Sequence, residues 1–384
     1  MHRPSIPLSL YIHLPWCIRK CPYCDFNSHE FQGALPESDY VEALLRDLEM
    51  ELPQTDGRPI ETIFIGGGTP SLFSAKAIDD LLEGVRHRVC LAKNAEVTLE
   101  ANPGACESVR FEGYLKAGVN RLSIGIQSFQ DRLLNGLGRI HDQKSALAAV
   151  KIARDAGFSE LNIDLMFGLQ GQTTEMALLD IETAIHLDPT HLSFYQLTLE
   201  PNTFFFKYPP SLPNEDVIFT IQTQCQERLE ANGYQQYEVS AYAREGSRCR
   251  HNLNYWEFGD YIGIGAGAHG KITDLETLKI QRSSRIKHPG HYLKALKEGR
   301  TAKTIQVLEP RDVPFEFLMN GLRLRSGCSL ETLRERTGAS VDLLQPSLEK
   351  LIDDELIERS GTQIRCSSRG YNFLDTILQR LLPS

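Results

Sequence analysis

Six short apolar runs, each followed by an amphipathic stretch, set the architecture of the first two-thirds of the chain. The runs are Leu8–His13, Thr62–Ile65, Glu96–Leu99, Arg121–Ile126, Leu161–Met166 and Leu192–Leu197. Between them, apolar residues recur at helical spacing. Val41, Leu44, Leu45 and Leu48 do so in Ser38–Glu51, and Ile78, Leu81, Leu82 and Val85 in Ala75–Val89. Ser145–Ala156 and Met176–His186 follow the same pattern. Strands alternating with helices of this length imply right-handed βαβ units and a parallel sheet, an α/β class. Six units are too few for a closed eight-stranded barrel, so an open (β/α)6 partial barrel is the natural reading. A doubly wound sheet would carry the same periodicity.

The pattern loosens between about 200 and 310. Phe204, Phe205, Phe206, Tyr208, Pro209 and Pro210 cluster there, a helical stretch Val217–Ala231 follows, and a Gly-, Tyr- and His-dense segment ends at Gly263-Ile-Gly-Ala-Gly-Ala-His269-Gly. Pro310 and Pro314 mark a boundary. Beyond it come helical patterns near 315–325, 329–336 and 341–353, short strands near 355–359 and 362–366, and a last helix from 371. Helix–helix–helix–hairpin resembles a winged-helix module. The expected organisation is a barrel core over 1–200, an extension over 201–309 and a small α+β module over 310–384.

Composition narrows the function classes. The net charge of −9 disfavours a protein that coats nucleic acid through its bulk field. No run of 18 apolar residues exists, so no transmembrane helix is expected. The N-terminus lacks a signal peptide's apolar core, which predicts a cytoplasmic protein with reduced thiols. The nine cysteines are an odd number, and three fall within eight residues. In a reducing compartment this favours metal or cluster ligation over a disulfide framework.

Those three stand in Cys17-Ile-Arg-Lys-Cys21-Pro-Tyr-Cys24, directly after the first strand. Three thiolates on one loop can hold three corners of a [4Fe–4S] cube and leave the fourth iron open. The alternative is a zinc site completed by His13 or His29, but zinc loops usually pair their ligands two and two, and no second pair follows. Cys90, Cys106, Cys225, Cys328 and Cys366 have no ligand spacing, and neither do His2, His87, His186 and His288.

The C-x3-C-x2-C spacing resembles the signature of the radical S-adenosylmethionine (SAM) superfamily, whose usual fold is the partial barrel read above. The resemblance implies that SAM's amine and carboxylate sit on the open iron and that one electron from the cluster cleaves the sulfonium. It places Tyr23 near the adenine, Gly67, Gly68 and Thr69 at the methionine amine, and Glu100 on a ribose or an ammonium. Arg139 would meet the SAM carboxylate, and Gln127 and Asp164 its ribose or adenine. Tyr11 and His269 complete the SAM-binding set.

Tyr11-Ile-His13-Leu-Pro15-Trp-Cys17, Gly67-Gly-Thr-Pro-Ser71, Ser123-Ile-Gly-Ile-Gln127 and Asn162-Ile-Asp164-Leu together resemble the oxygen-independent coproporphyrinogen III oxidase group, from about residue 8 to the C-terminus. Two families share this frame: oxidases that decarboxylate propionates to vinyl groups, and radical-SAM heme chaperones. Three features favour the chaperones. The oxidases carry a further cysteine two positions after the third, where this chain has Phe26. They also have a longer segment ahead of the cluster. The third feature is Arg250-His251-Asn252-Leu-Asn-Tyr255-Trp256, which resembles the heme-associated H-N-x-x-Y-W segment of the chaperones.

The resemblance implies heme as ligand, acceptor proteins that receive it, and an electron donor. His251 would ligate the iron, Tyr255 and Trp256 would lie against the porphyrin beside Asn252, and Arg250 would pair with a propionate. Cys249 is read as an ordinary buried thiol. Enzymatic activity is left open. The competing readings are an oxidase and a zinc-stabilised nucleic-acid-binding protein.

Overall fold

The first six strands of the barrel run in chain order and lie side by side. In the computed structural model, which describes residues 5–31, 33–104 and 107–382, they are β1 (Leu8–Leu14), β2 (Ile60–Gly67), β3 (Leu91–Ala101), β4 (Arg121–Gln127), β5 (Glu160–Phe167) and β6 (His191–Gln196). Every neighbouring pair is parallel. β4 is buried at all seven positions, as a parallel strand must be when helices cover one face and the barrel interior the other. The outward side chains are apolar. The inward ones include Ser123, Gln127 and Asp164, which line the site, and Asn162, which donates to Asp164.

The covering helices form where the periodicity predicts them. Glu37–Glu51 buries Tyr40, Val41, Leu44 and Leu48. Ala75–Arg86 buries Ile78, Leu81, Leu82 and Val85, and Ser74 caps it by accepting from the Ala77 N–H. The Glu37 carboxylate accepts from both the Ser74 amide (2.7 Å) and its hydroxyl (2.6 Å), which ties the two helices together.

The loosely patterned middle of the chain supplies both edges of one twelve-stranded sheet. On the β6 side it adds a hairpin, β7 (Gln235–Glu238) and β8 (Ala241–Ala243). On the β1 side it adds β9 (Asp260–Ile264), β10 (His269–Thr273), β11 (Ile280–Arg285) and β12 (Lys303–Val307). β9 pairs with β1 in parallel and so continues the barrel as a seventh parallel strand. The rest is an antiparallel meander. Asp260 pins this edge, pairing at 2.9 Å with the buried Lys271 and at 2.8 Å with Arg58.

The C-terminal module has its own apolar core, formed by Phe317, Leu318, Leu348, Leu351, Ile364 and Ile377 among others, and Phe258 and Ile280 of the extension join it. Its helices Val313–Gly321, Leu330–Thr337 and Gln345–Asp353 precede the hairpin β14 (Ile357–Ser360)–β15 (Gln363–Cys366), and β13 (Cys328–Ser329) adds to β15. That is the helix–helix–helix–hairpin order read from the sequence. The module touches both ends of the large sheet, through Ile280 at one side and a Glu238–Leu324 bridge at the other. Cys106 and His2 lie outside the described residues.

Candidate functional site

At the carboxyl ends of the strands, a cavity of about 130 Å³ gathers most of the predicted site: Cys17, Cys21, Cys24, Tyr23, Gly67, Gly68, Thr69, Glu100, Gln127, Arg139 and Asp164 all line it. An adjoining hollow of about 530 Å³ shares Cys21, Thr69, Asn102 and Arg139 with it. The three thiols are free and partly buried. Each has a polar neighbour: Thr69 Oγ1 donates to Cys17 Sγ (3.4 Å), Arg139 Nη1 to Cys21 Sγ (3.7 Å), and Ser28 Oγ lies 3.7 Å from Cys24 Sγ. Burial raises the Cys17 and Cys24 thiols above their usual range.

The glycines beside the cysteines are required by space. Gly67 has φ +118°, and a Cβ there would lie 2.6 Å from the His13 ring. A Cβ on Gly68 would lie 2.5 Å from the Trp16 carbonyl oxygen. The Gly67 amide donates to Glu100 at 3.2 Å. Burial and the neighbouring Asp164 charge push the Glu100 carboxyl up to about 7. Asp164 accepts from Asn162 (2.6 Å) and Ser123 (3.3 Å), which offsets part of the cost of burying it. Gln127 sits at φ 72°, rare for a residue with a Cβ, and its Oε1 accepts from the Tyr195 hydroxyl at 2.7 Å. Arg139 donates to Asn102 and to the Gly125 carbonyl, both at 2.6 Å.

Two residues escaped the sequence reading. Tyr195 holds Gln127, and Asn102 links Arg139 to Thr69. Asn102 follows Glu100 in Glu-Ala-Asn-Pro at a strand end, a signal that was present. Tyr195 sits mid-run in an apolar strand and gives none.

A second cavity, of about 670 Å³, opens beside the first on the β1 edge. Phe26 and Ser28 line both. Tyr11 and His269, predicted at SAM, line this larger cavity and not the cysteine-lined one. Tyr255 and Trp256 lie in its wall with Phe258 and Tyr261. Its volume and mixed aromatic and polar lining suit a large flat ligand.

The rest of the H-N-x-x-Y-W segment does not reach that cavity. The segment is the helix Arg250–Trp256, whose first amides are capped by Glu96 of β3: Arg250 N–H donates at 3.1 Å and His251 N–H at 3.0 Å. His251 is 1% exposed. Its Nδ1 lies 2.7 Å from Thr62 Oγ1 and its Nε2 2.8 Å from the Tyr255 hydroxyl. Both ring nitrogens are committed, so as placed His251 offers none to iron. Burial lowers its pKa to about 3, which keeps the ring neutral. Asn252 lines a separate polar cavity inside the barrel. Arg250 points away, donating to the Asn94 carbonyl (2.6 Å) and pairing with Glu61 (3.6 Å). Cys249 is buried against Glu96 and its thiol is pushed up to about 12, which disfavours a thiolate.

The donor set fits a cubane better than a single ion. Among the described residues, no three His, Cys, Asp or Glu side chains converge to hold one metal ion. His13, the proposed zinc ligand, is taken: its Nε2 donates to the Asn27 carbonyl (2.9 Å) and its Nδ1 accepts from Tyr11 (3.0 Å). A cube held at three corners takes one thiolate on each of three irons and needs no such convergence.

The parallel barrel and the cysteine-lined strand ends define a radical-SAM protein, and residues 11–184 match the family model for the radical SAM superfamily. Residues 308–373 match that of the HemN C-terminal domain. The chain is 48% identical over 376 residues to heme chaperone HemW of Escherichia coli, with 98% of each chain covered. It is 35% identical to heme chaperone HemW of Bacillus subtilis, covering 94% of this chain and 96% of that one. A mouse relative, radical S-adenosyl methionine domain-containing protein 1, mitochondrial, is 34% identical over 99% of this chain and 88% of its own. Among solved structures, coproporphyrinogen III oxidase (HemN) from Escherichia coli superposes with a TM-score of 0.84 at 23% identity, covering 98% of this chain and 90% of that one, a likeness of fold. The chain belongs to the radical-SAM heme chaperone family.

Proposed function

We propose that this protein is a cytoplasmic heme chaperone on a radical-SAM scaffold: it binds heme and passes it to acceptor proteins. The observation that supports this best is the pair of adjoining cavities with a shared wall. One is lined by three thiols and the polar strand ends, and the other is large, aromatic and cationic. Cys17, Cys21 and Cys24 would hold a [4Fe–4S] cluster. When bound, the cluster supplies a single electron to the sulfonium of SAM, drawn from an external donor. Glu100 and the Gly67–Thr69 backbone would take the SAM ammonium, and Arg139 its carboxylate. Gln127 and Asp164 would accept hydroxyl or amine donors of the nucleoside, and Tyr23 would pack on the adenine. In the larger cavity, Tyr255 and Trp256 would flank the porphyrin. His251, Asn252 and Arg250 would act from behind that wall by fixing the helix that carries it.

The test is anaerobic reconstitution with iron and sulfide, then coproporphyrinogen III, SAM and a reductant, with heme titration in parallel. The chaperone reading expects a brown protein whose blue-end absorption is lost in Cys21→Ser, stoichiometric heme binding, and no vinyl porphyrin at turnover. A colourless zinc protein would remove the radical-SAM reading. Catalytic vinyl product would make the protein an oxidase.

A further inference from the structure

We propose that His269 is the axial ligand of heme iron in the 670 Å³ cavity. The inference rests on the heme-binding reading above and assigns it a residue. Three histidines line the cavity. His13 spends both ring nitrogens on Tyr11 and Asn27. His29 lies 3.3 Å from Asn27 Oδ1 and is also drawn to the Lys287 carbonyl. His269 makes no side-chain hydrogen bond to any described residue. A neutral imidazole with an uncommitted nitrogen is what heme iron takes.

Strand register puts this ring in position. His269 opens β10 opposite Ser284, and Lys271 lies two residues on, opposite Arg282. Alternation turns His269 and Lys271 to one face with Arg282 and Ser284. Burial, then the Lys287, Arg282 and Arg285 charges, lowers the His269 pKa and keeps the ring unprotonated at neutral pH. The cations in the cavity wall suit a porphyrin's carboxylates. Lys20, Lys271, Arg282 and Lys287 line the cavity against a single carboxylate, Asp25. Lys271 is sealed to Asp260, and Arg282 pairs with Glu316. The Lys287 ammonium is exposed and pairs with no described carboxylate, so it is the first candidate for a propionate.

Ferric heme is titrated into the full-length protein and into its His269→Ala, His29→Ala and His251→Ala variants, with absorption and electron paramagnetic resonance spectra recorded. His269→Ala should lose the imidazole-ligated spectrum and weaken binding by at least about tenfold. Added imidazole should restore the spectrum, which separates a lost ligand from a lost fold. His29→Ala and His251→Ala should keep the imidazole-ligated spectrum, although His251→Ala should lose affinity through the Tyr255 wall that its ring braces. An unchanged spectrum and affinity in His269→Ala overturns the assignment, as does loss of the imidazole-ligated spectrum confined to His29→Ala or His251→Ala. If the wild-type protein takes up no heme, the chaperone reading itself falls.

Discussion

The Tyr255 hydroxyl and His251 Nε2 stand 2.8 Å apart, and they join the wall of the larger cavity to the barrel interior. The Thr62 hydroxyl donates to Ser9 at 2.8 Å, so His251 Nδ1–H must donate to Thr62, and Nε2 accepts from Tyr255. As placed, the histidine of the motif braces the tyrosine of the cavity wall. Tyr255→Phe leaves a buried acceptor unpaired and should cost about 1–3 kcal/mol. Urea unfolding checks this through the midpoint.

Glu100, assigned to the SAM ammonium under the proposed function, should make SAM binding depend on pH. Its carboxyl, pushed up to about 7, must lose a proton to receive an ammonium. SAM affinity should rise with pH, by up to about tenfold per unit, until pH exceeds 7 and then level off. The stability of the SAM-free protein should run the opposite way, because a raised carboxyl favours folding at low pH and loses that contribution as pH rises through 7. Calorimetric SAM titrations of the reconstituted protein measure the first effect. In Glu100→Gln the slope should vanish.

Gly68→Ala tests the glycine cradle. Its Cβ would meet backbone, the Trp16 carbonyl oxygen at 2.5 Å, and backbone cannot swing aside as a long side chain can. The strand end should shift and carry Thr69 off Cys17. We expect less iron and sulfide per chain after reconstitution and weaker SAM binding, with far-ultraviolet circular dichroism unchanged.

Lys271→Met should be strongly destabilising. Lys271 is 1% exposed and donates to Asp260 and to the Phe258 and Gly259 carbonyls. Its removal leaves Asp260 with Arg58 alone among cations, at an expected cost of about 3–5 kcal/mol. A fall in urea midpoint at unchanged slope would be the signature.

The barrel was legible because its strands and helices announce themselves locally. Val41, Leu44 and Leu48 face the core at the spacing the sequence displays, and the C-terminal elements follow the same logic. The cysteine loop and strand-end polar groups were legible because chemistry is concentrated in short motifs. What was hidden depends on pairing across the chain. Asp260–Ile264 is an ordinary five-residue stretch until Leu8–Ile12 pairs with it. That pairing closes the larger cavity and carries His269 into it. The hydrogen bonding of His251 was hidden for the same reason. The motif supplied a histidine, but Thr62, 189 residues away, takes one of its nitrogens.

The most direct test of the central claim is a heme hand-over experiment. The reconstituted protein is loaded with one equivalent of heme, freed of excess and mixed with an apo heme protein, and the acceptor's absorption is followed. Heme should be retained through desalting and then appear on the acceptor. Heme lost on desalting, or retained and never transferred, would contradict it.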